Sequence, residues 1–198
     1  MRGVEYELEV EELRVKVCEG VYPPSEDTYL LLDGVKVIEG HTVIEVGSGL
    51  GLAALRLAQR GAFTVASDID LKSARCTKLN AWKNGLRPLI DVVAGDLLTP
   101  FRNESFEGVA FNPPYLPVEG ESPYWSGGTT GRKVIYRFIE DARAKLKKGG
   151  CLLLVHSTLS GVGEVMDKLR AEGFDPRVIR ALRVGMFEEI VLIAAFKA

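Results

Sequence analysis

The sequence predicts an α/β fold with a doubly wound, mostly parallel sheet of about seven strands and a C-terminal antiparallel hairpin. Two observations predict it: short apolar segments alternate with helical patterns along most of the chain, and the tail holds two apolar segments with no room for a helix between them. Such alternation gives a parallel sheet with helices on both faces. With 198 residues, of which 46% are hydrophobic, the chain can bury one core, and we expect a single domain over residues 1–198.

The elements follow in order along the chain. Apolar segments predict strands at 42–46, 63–67, 90–95, 107–112 and 150–155. Helical patterns lie at 50–60, 71–84, 131–148 and 161–172, and each ends at a glycine, the usual helix stop. The tail segments 174–184 and 188–196 flank Gly185 and predict the hairpin, while residues 1–30 form an N-terminal extension and an entry segment. This pattern is Rossmann-like, and such sheets bind ligands at the carboxyl ends of their strands.

A glycine-rich loop directly follows the first predicted strand of the sheet and opens a helix. Gly47, Gly49 and Gly51 permit a tight turn and a close approach of the backbone to a ligand. The spacing departs from the dinucleotide fingerprint G-x-G-x-x-G, because Gly51 comes one residue early. Glu45 at the start of the loop would repel a pyrophosphate but can receive an ammonium group. The loop therefore favours a cationic ligand over a dinucleotide.

Two further carboxylates end the following strands. Asp68 comes about 20 residues after the loop, where an acid binds ribose hydroxyls. Asp96 can accept a hydrogen bond from an exocyclic amine while Leu97 lies against the ring, whereas Asp70 is predicted to be only a helix cap. Three carboxylates, a glycine loop and no Walker lysine describe a site for a cationic adenosine ligand, and S-adenosylmethionine fits it.

The turn Asn112-Pro113-Pro114-Tyr115 ends the fourth apolar segment. The prolines fix the turn and hold Asn112 extended. The side-chain oxygen of Asn112 and the carbonyl of Pro113 are two acceptors that suit a planar NH2 group. Holding both protons leaves the nitrogen lone pair free to attack an electrophile, and Tyr115 offers a surface for a flat amide or base. A proline-rich turn that merely ends a strand is the alternative interpretation.

Composition and charge exclude several classes of function. No stretch approaches the ~18 apolar residues of a membrane span, and the first residues are too charged for a signal peptide, so we expect a cytoplasmic protein without a membrane partner. The net charge of −2 and a pI near 5.8 give no footprint for free nucleic acid. Cys18, Cys76 and Cys151 suit a reducing compartment and lack metal-ligand spacing, so no metal site is predicted, and His156 is expected to be a packed residue. A single glutamine and scarce asparagine hint at a thermophilic source.

Together these motifs resemble class I S-adenosylmethionine-dependent methyltransferases that act on amino or amide nitrogen. Residues 21–32 resemble the entry segment of the HemK-like release-factor glutamine methyltransferases in their eukaryotic and archaeal branch, and residues 125–139 resemble that branch's substrate loop and next helix. The resemblance covers nearly the whole chain from Val21. It implies that Asn112 and the following Pro-Pro-Tyr hold the substrate amide. It also implies cofactor contacts from Thr28, Glu45, Gly47, Asp68, Asp96, Leu97 and Asn112.

The resemblance further implies an acceptor and a partner. The acceptor would be the glutamine of the Gly-Gly-Gln loop in a class I peptide release factor. Apart from the resemblance, residues 113–130 are rich in Pro, Gly, Ser and Thr and directly follow the Asn112 turn, so we expect a loop that covers the substrate, with disorder as the alternative. Too few residues precede the entry segment for the N-terminal helical domain of bacterial HemK-type enzymes, so a small zinc-binding activator protein is expected as the heterodimer partner. The segment 89–93 should be an open sheet edge that is poorly defended against pairing, with coverage by residues 4–17 as the alternative.

Other acceptors stay open at this point. An exocyclic amino group of adenine or guanine resembles an amide and suits the same turn, and protein lysine is a further possibility. A noncatalytic scaffold that binds the cofactor is the alternative from a different class of protein. The intact Asn112 turn argues against a scaffold, which has no physical need for it.

Overall fold

The computed structural model describes residues 5–118 and 126–198. A hairpin comes first, formed by β1 (Tyr6–Val10) and β2 (Leu13–Val17). The strands of the main sheet are β3 (Thr42–Val46), β4 (Phe63–Asp68), β5 (Ile90–Ala94), β6 (Phe106–Phe111), β7 (Leu146–Ser157), β8 (Phe174–Val184) and β9 (Glu188–Lys197). The helices are α1 (Glu26–Gly34), α2 (Leu52–Gln59), α3 (Leu71–Lys83), α4 (Lys133–Lys145) and α5 (Val162–Ala171).

The seven strands of the main sheet follow the order β5-β4-β3-β6-β7-β9-β8. The pairs formed among β3 to β7 are parallel, and β9 runs antiparallel to both β7 and β8. The chain builds outward from β3 to β5 and then returns to place β6 on the other side of β3. This is a switch point of the kind at which doubly wound sheets bind ligands. The predicted fold class, including the terminal hairpin, is confirmed.

The core lies on both faces of the sheet, which is why the central strands are largely apolar. Neighbouring residues of β3 point to opposite faces. Val43 belongs to the cluster that packs under α1, α2 and α3, whereas Ile44 belongs to the cluster under α4 and α5, and both are fully buried. These helix layers hold the carboxyl ends of β3, β4 and β6 at one edge of the molecule.

No helix in the described ranges is both long and apolar enough to cross a bilayer.

Besides the N-terminal hairpin, which the sequence pattern did not assign as strands, two elements differ from that pattern. The entry segment forms α1, which the apolar periodicity did not assign; the Ser25 backbone N–H donates to Thr28 Oγ1 at 3.4 Å at its start. The helix predicted over 131–148 ends at Lys145, because β7 already begins at Leu146. Leu146 pairs with Phe106 before a register shift brings Cys151 opposite Gly108. The two lysines and two glycines of this bulged start hid the strand from a periodicity argument.

The N-terminal hairpin lies on α3 and leaves the edge of the sheet open. The backbone N–H groups of Arg14 and Lys16 donate to the side-chain oxygens of Asn84 and Asn80 at 2.9 and 2.8 Å. β5 is the terminal strand, and within residues 5–118 and 126–198 no strand pairs with its outer side. The prediction of an open edge is therefore confirmed, and the alternative, coverage of this edge by residues 4–17, is not found among the described residues. Val4 of that segment lies outside the described residues.

The expectation that the cysteines suit a reducing compartment is wrong for two of them. Cys18 and Cys76 form a disulfide with their Cα atoms 6.0 Å apart, and Cys151 is a buried free thiol. The two partners are 58 positions apart in sequence, and only the docking of the N-terminal segment on α3 brings them together. Hyperthermophile proteins commonly contain disulfides, so this bond is compatible with the thermophilic source that the amide-poor composition predicts, which stays a prediction.

Removing this disulfide is expected to destabilise the chain. A crosslink between positions 58 residues apart restricts the unfolded ensemble, and its loss lowers the free energy of unfolding by roughly 2–4 kcal/mol. Denaturant unfolding of wild type and of Cys18→Ser/Cys76→Ser measures the difference, and a reductant should destabilise the wild type alone. Equal unfolding midpoints at equal slopes would contradict the expectation.

Candidate active site

A cavity of ≈ 560 Å³ opens at the carboxyl ends of β3, β4, β5 and β6. Its volume lies in the range of small-molecule sites. Its lining contains all but one of the residues that the sequence singles out: Thr28, Glu45, Gly47, Gly49, Asp68, Asp96, Leu97, Asn112, Pro113, Pro114 and Tyr115. Gly51 is the one that the lining does not contain. The fold therefore brings the residues of these separate sequence motifs together in one cavity.

The glycine loop owes its shape to packing as much as to a ligand. Gly47 has φ +62°, and a Cβ there would lie 2.9 Å from a ring carbon of Phe111. Gly51 has φ +82° and starts α2, and a Cβ there would lie 2.6 Å from Cγ2 of Thr77. Gly51 is thus required for the fit of the loop against α3, a role that the sequence motif does not distinguish from ligand contact.

Glu45 is buried below the loop and faces the start of α2. Its carboxylate accepts hydrogen bonds from the backbone N–H groups of Ala53 at 3.3 Å and Ala54 at 2.8 Å. Burial raises the pKa of Glu45 to about 8, although these two hydrogen bonds act in the opposite direction. A cationic group bound in the cavity would favour the ionised carboxylate.

Asp68 joins the end of β4 to the glycine loop. One carboxylate oxygen accepts from the Gly49 N–H and the other from the Asp70 N–H, both at 2.9 Å. Burial raises the pKa of Asp68 above its usual value. The side chain of Asp70 accepts from the Lys72 N–H at 3.0 Å, which confirms it as the predicted cap of α3, and Asp70 also lines the cavity.

The far wall combines Asp96, Leu97 and Arg137. Nη2 of Arg137 donates to Oδ2 of Asp96 at 2.6 Å. Leu97 is 7% exposed and has φ +49°, a backbone conformation that is rare outside glycine. Arg137 lies in the helix that carries part of the family resemblance, and nothing in its spacing indicates this pairing.

Asn112 lines the cavity, and its side chain contains an acceptor that is not used within the described residues. Oδ1 of Asn112 is buried, and no donor reaches it from the part of the chain that the structure describes. A buried polar atom without a partner costs about 1–3 kcal/mol, so a ligand N–H placed there would be favoured. The loop predicted over 113–130 is described to Val118 and again from Ser126, which leaves Trp125 outside the described residues.

Sequence reasoning missed a second polar group in the wall. Asp27 is 5% exposed, and the hydroxyls of Tyr22 and Tyr115 donate to its carboxylate. Burial, followed by the charge of Asp27, raises the pKa of Tyr22 to about 12. The entry segment contains Asp27, yet its pattern gave no reason to place this carboxylate against Tyr115.

Two other expectations concern residues outside the cavity. His156 is fully buried, with Nε2 3.3 Å from the carbonyl oxygen of Ser160, so it is a packed residue as predicted. Burial lowers its pKa. In the described ranges no cluster of three or more His, Cys, Asp or Glu side chains is arranged to hold a metal ion.

Comparisons with known proteins agree with this site. The family model of the methyltransferase small domain matches residues 13–172. A Methanocaldococcus jannaschii chain, described as a candidate protein N5-glutamine methyltransferase, is 32% identical over 96% of this chain and 98% of its own. Human methyltransferase HEMK2 is 33% identical over 77% of this chain and 79% of its own.

A solved structure gives the same result. It is the E. cuniculi Mtq2–Trm112 complex, which is described as responsible for methylation of the eRF1 translation termination factor. The match has a TM-score of 0.73 and 26% identity, and covers 90% of this chain and 99% of that one. The chain therefore belongs to the methyltransferase small domain family and, within it, to the HemK-like methyltransferases.

Proposed function

We propose that this chain transfers a methyl group from S-adenosylmethionine to the side-chain amide nitrogen of a protein glutamine, in the Gly-Gly-Gln loop of a class I peptide release factor. The observation that carries the proposal is Oδ1 of Asn112, a buried acceptor without a donor from the described residues, in the wall of a cavity rich in carboxylates. The name of the Methanocaldococcus jannaschii relative supports glutamine as the acceptor residue, and the role ascribed to the Mtq2–Trm112 complex supports a termination factor.

The cavity fits the proposed cofactor by charge and by shape. Glu45 would receive the ammonium group, Asp68 the ribose hydroxyls and Asp96 the adenine amine, with Leu97 against the ring. Thr28 at the start of α1, together with Gly47 and Gly49 of the loop, completes the wall. When bound, S-adenosylmethionine supplies an electrophilic methyl group. Its ammonium group, ribose hydroxyls and adenine amine would each meet a carboxylate here.

The Asn112 turn would activate the acceptor. A glutamine amide nitrogen is a poor nucleophile, because its lone pair is delocalised into the carbonyl. Oδ1 of Asn112 and the carbonyl of Pro113 would each accept one N–H, which fixes the amide plane and favours the positive charge that grows on nitrogen in the transition state. Pro113 and Pro114 keep these acceptors in place, so positioning provides much of the acceleration. The nitrogen lone pair would form the new C–N bond as the methyl group leaves the sulfonium sulfur, which departs as a thioether. The proton would then pass from nitrogen to water, so no dedicated base is required.

The open edge of the sheet supports the proposal of a small activator partner. β5 offers an unpaired strand edge within the described ranges, and Trp82 of the adjacent α3 is 67% exposed. The Mtq2 chain in the matched structure is in complex with Trm112. A second protein on this edge would pair with β5 and cover Trp82. Zinc binding by the activator, a cytoplasmic location and a single domain over 1–198 stay predictions.

The proposed function is tested by methyl transfer with labelled S-adenosylmethionine. The chain, with and without a candidate activator, is incubated with a release factor, with the same factor carrying Gln→Ala in its Gly-Gly-Gln loop, and with RNA and DNA. Label on the intact factor alone would support glutamine as the acceptor, and dependence on the activator would support the partner. Label on RNA or DNA alone would favour a nucleobase amino group, and label on neither, despite cofactor binding, would favour a scaffold.

Cofactor affinity is expected to depend on pH through Glu45. The ligand-free protein keeps the Glu45 proton below about pH 8, and an ammonium group beside the carboxylate would expel it. Binding therefore releases a proton and tightens as pH rises, by at most ~10-fold per pH unit, until Glu45 ionises by itself near pH 8. Calorimetry in buffers of different ionisation enthalpy measures the release. The Glu45→Gln variant should bind the cofactor more weakly and release fewer protons on binding than the wild type. Equal proton release by the two proteins would exclude Glu45 as the source of the proton.

A further inference from the structure

Asp27 is a buried carboxylate in the cavity wall to which the methyl-transfer scheme gives no role. Its oxygens accept from the Thr28 N–H at 2.7 Å, from the Tyr22 hydroxyl at 3.3 and 3.4 Å, and from the Tyr115 hydroxyl at 3.3 Å. A buried carboxylate costs free energy unless hydrogen bonds satisfy it. Here the satisfying donors include the tyrosine of the acceptor turn, so Asp27 connects α1 to the place where the amide would bind.

Tyr115 is held at two points. Asp27 accepts from its hydroxyl, and the Ser160 hydroxyl donates to its backbone carbonyl. The ring also packs against both core clusters, one on each face of the sheet. Pro113 and Pro114 restrict the backbone of the turn but leave the side-chain torsions of Tyr115 unrestricted. Packing confines the ring, and the hydrogen bond from its hydroxyl to Asp27 adds the one directional contact that fixes the position of its far end among the contacts described.

We propose that Asp27 is a positioning residue that acts through the Tyr115 hydroxyl and holds the ring as one wall of the acceptor slot beside Asn112. The inference rests on the proposed function, because it concerns the same site. It gives Asp27 an effect on the methyl-transfer step rather than on cofactor affinity. The hydrogen bond, and not the negative charge, is the active feature. An amide at position 27 can keep that bond by donating to the hydroxyl oxygen.

A double-mutant cycle tests this. Asp27→Ala and Tyr115→Phe are each expected to lower kcat roughly 10- to 100-fold, the loss of one hydrogen bond to a charged group, and the double variant should be no slower than either single one. Asp27→Asn should recover most of the activity, and Tyr22→Phe, which removes the other hydroxyl on the same carboxylate, serves as the matched control with a small effect. Cofactor affinity should stay close to that of the wild type throughout.

The outcomes separate this inference from the proposed function. Multiplicative effects in the cycle, full activity of Tyr115→Phe, or an Asp27→Asn variant as slow as Asp27→Ala would each overturn the positioning role. If Asp27→Ala does not fold, the Tyr115→Phe and Asp27→Asn results still decide. A wild type that methylates no release factor refutes the proposed function alone. The cycle is then judged by the NMR signals of the Tyr115 ring carbons, which should show increased ring motion in Asp27→Ala and unchanged motion in Tyr22→Phe.

Discussion

Replacing Asn112 with alanine is expected to lower kcat for methyl transfer by ~10²–10³-fold or more, while cofactor affinity stays within a few-fold of that of the wild type. The substitution removes the buried side-chain acceptor that the turn presents without a donor from the described residues, and Pro113 can then hold only one of the two amide protons. The substrate amide is then no longer fixed in one plane, and it loses the partial negative charge of Oδ1 that favours positive charge on its nitrogen. The substitution therefore destabilises the transition state, so we expect kcat to fall while cofactor affinity stays close to that of the wild type.

The thermal midpoint of the Asn112→Ala variant distinguishes a loss of catalysis from damage to the fold. Oδ1 of Asn112 has no donor in the described residues, so its removal breaks no hydrogen bond of this atom within them and relieves the cost of a buried unpaired acceptor. The thermal midpoint should therefore not fall appreciably. Asn103→Ala is the matched control, since Asn103 is exposed and binds only the Lys145 side chain among the contacts described. Activity of Asn112→Ala within a few-fold of the wild type would refute the proposed mechanism.

The carboxyl-end geometry of the site could be predicted from sequence for a physical reason. Strands buried on both faces appear as continuous apolar segments, and in a parallel sheet all their carboxyl ends meet at one edge. Asp68, Asp96 and Asn112 each come directly after such a segment, so their convergence followed from the fold class alone. The cavity lining bears this out.

The sequence could not predict contacts between residues that are far apart along the chain. Tyr115 meets Asp27 from 88 residues away, Arg137 meets Asp96 from 41, and Cys76 meets Cys18 from 58. None of these pairs has a spacing that identifies it, because each depends on how helices pack on the finished sheet. The two lysines and two glycines at the start of β7 were missed for a related reason, since pairing with β6, not side-chain pattern, makes them a strand.

Replacing Asp68 with alanine is expected to weaken cofactor binding about 10- to 100-fold, with little change in kcat once the cofactor is saturating. Two effects contribute. The ribose hydroxyls lose their proposed acceptor, and the N–H groups of Gly49 and Asp70 lose theirs, which loosens the glycine loop. Calorimetric titration measures the affinity. Asp33→Ala, at an exposed position of α1, is the control and should bind as the wild type does.

A second ligand distinguishes the two contributions. An S-adenosylmethionine analogue with 2′-deoxyribose lacks one of the hydroxyls that Asp68 is proposed to bind, so the wild type should prefer the natural cofactor over it. Asp68→Ala should lose that preference, because the acceptor is already gone, and the affinity loss that remains for the deoxy analogue then measures the loop alone. If the variant keeps the full preference of the wild type, Asp68 acts on the loop through Gly49 and Asp70 and does not bind the ribose. A weakened affinity by itself would not show this, since both routes weaken binding in the same direction.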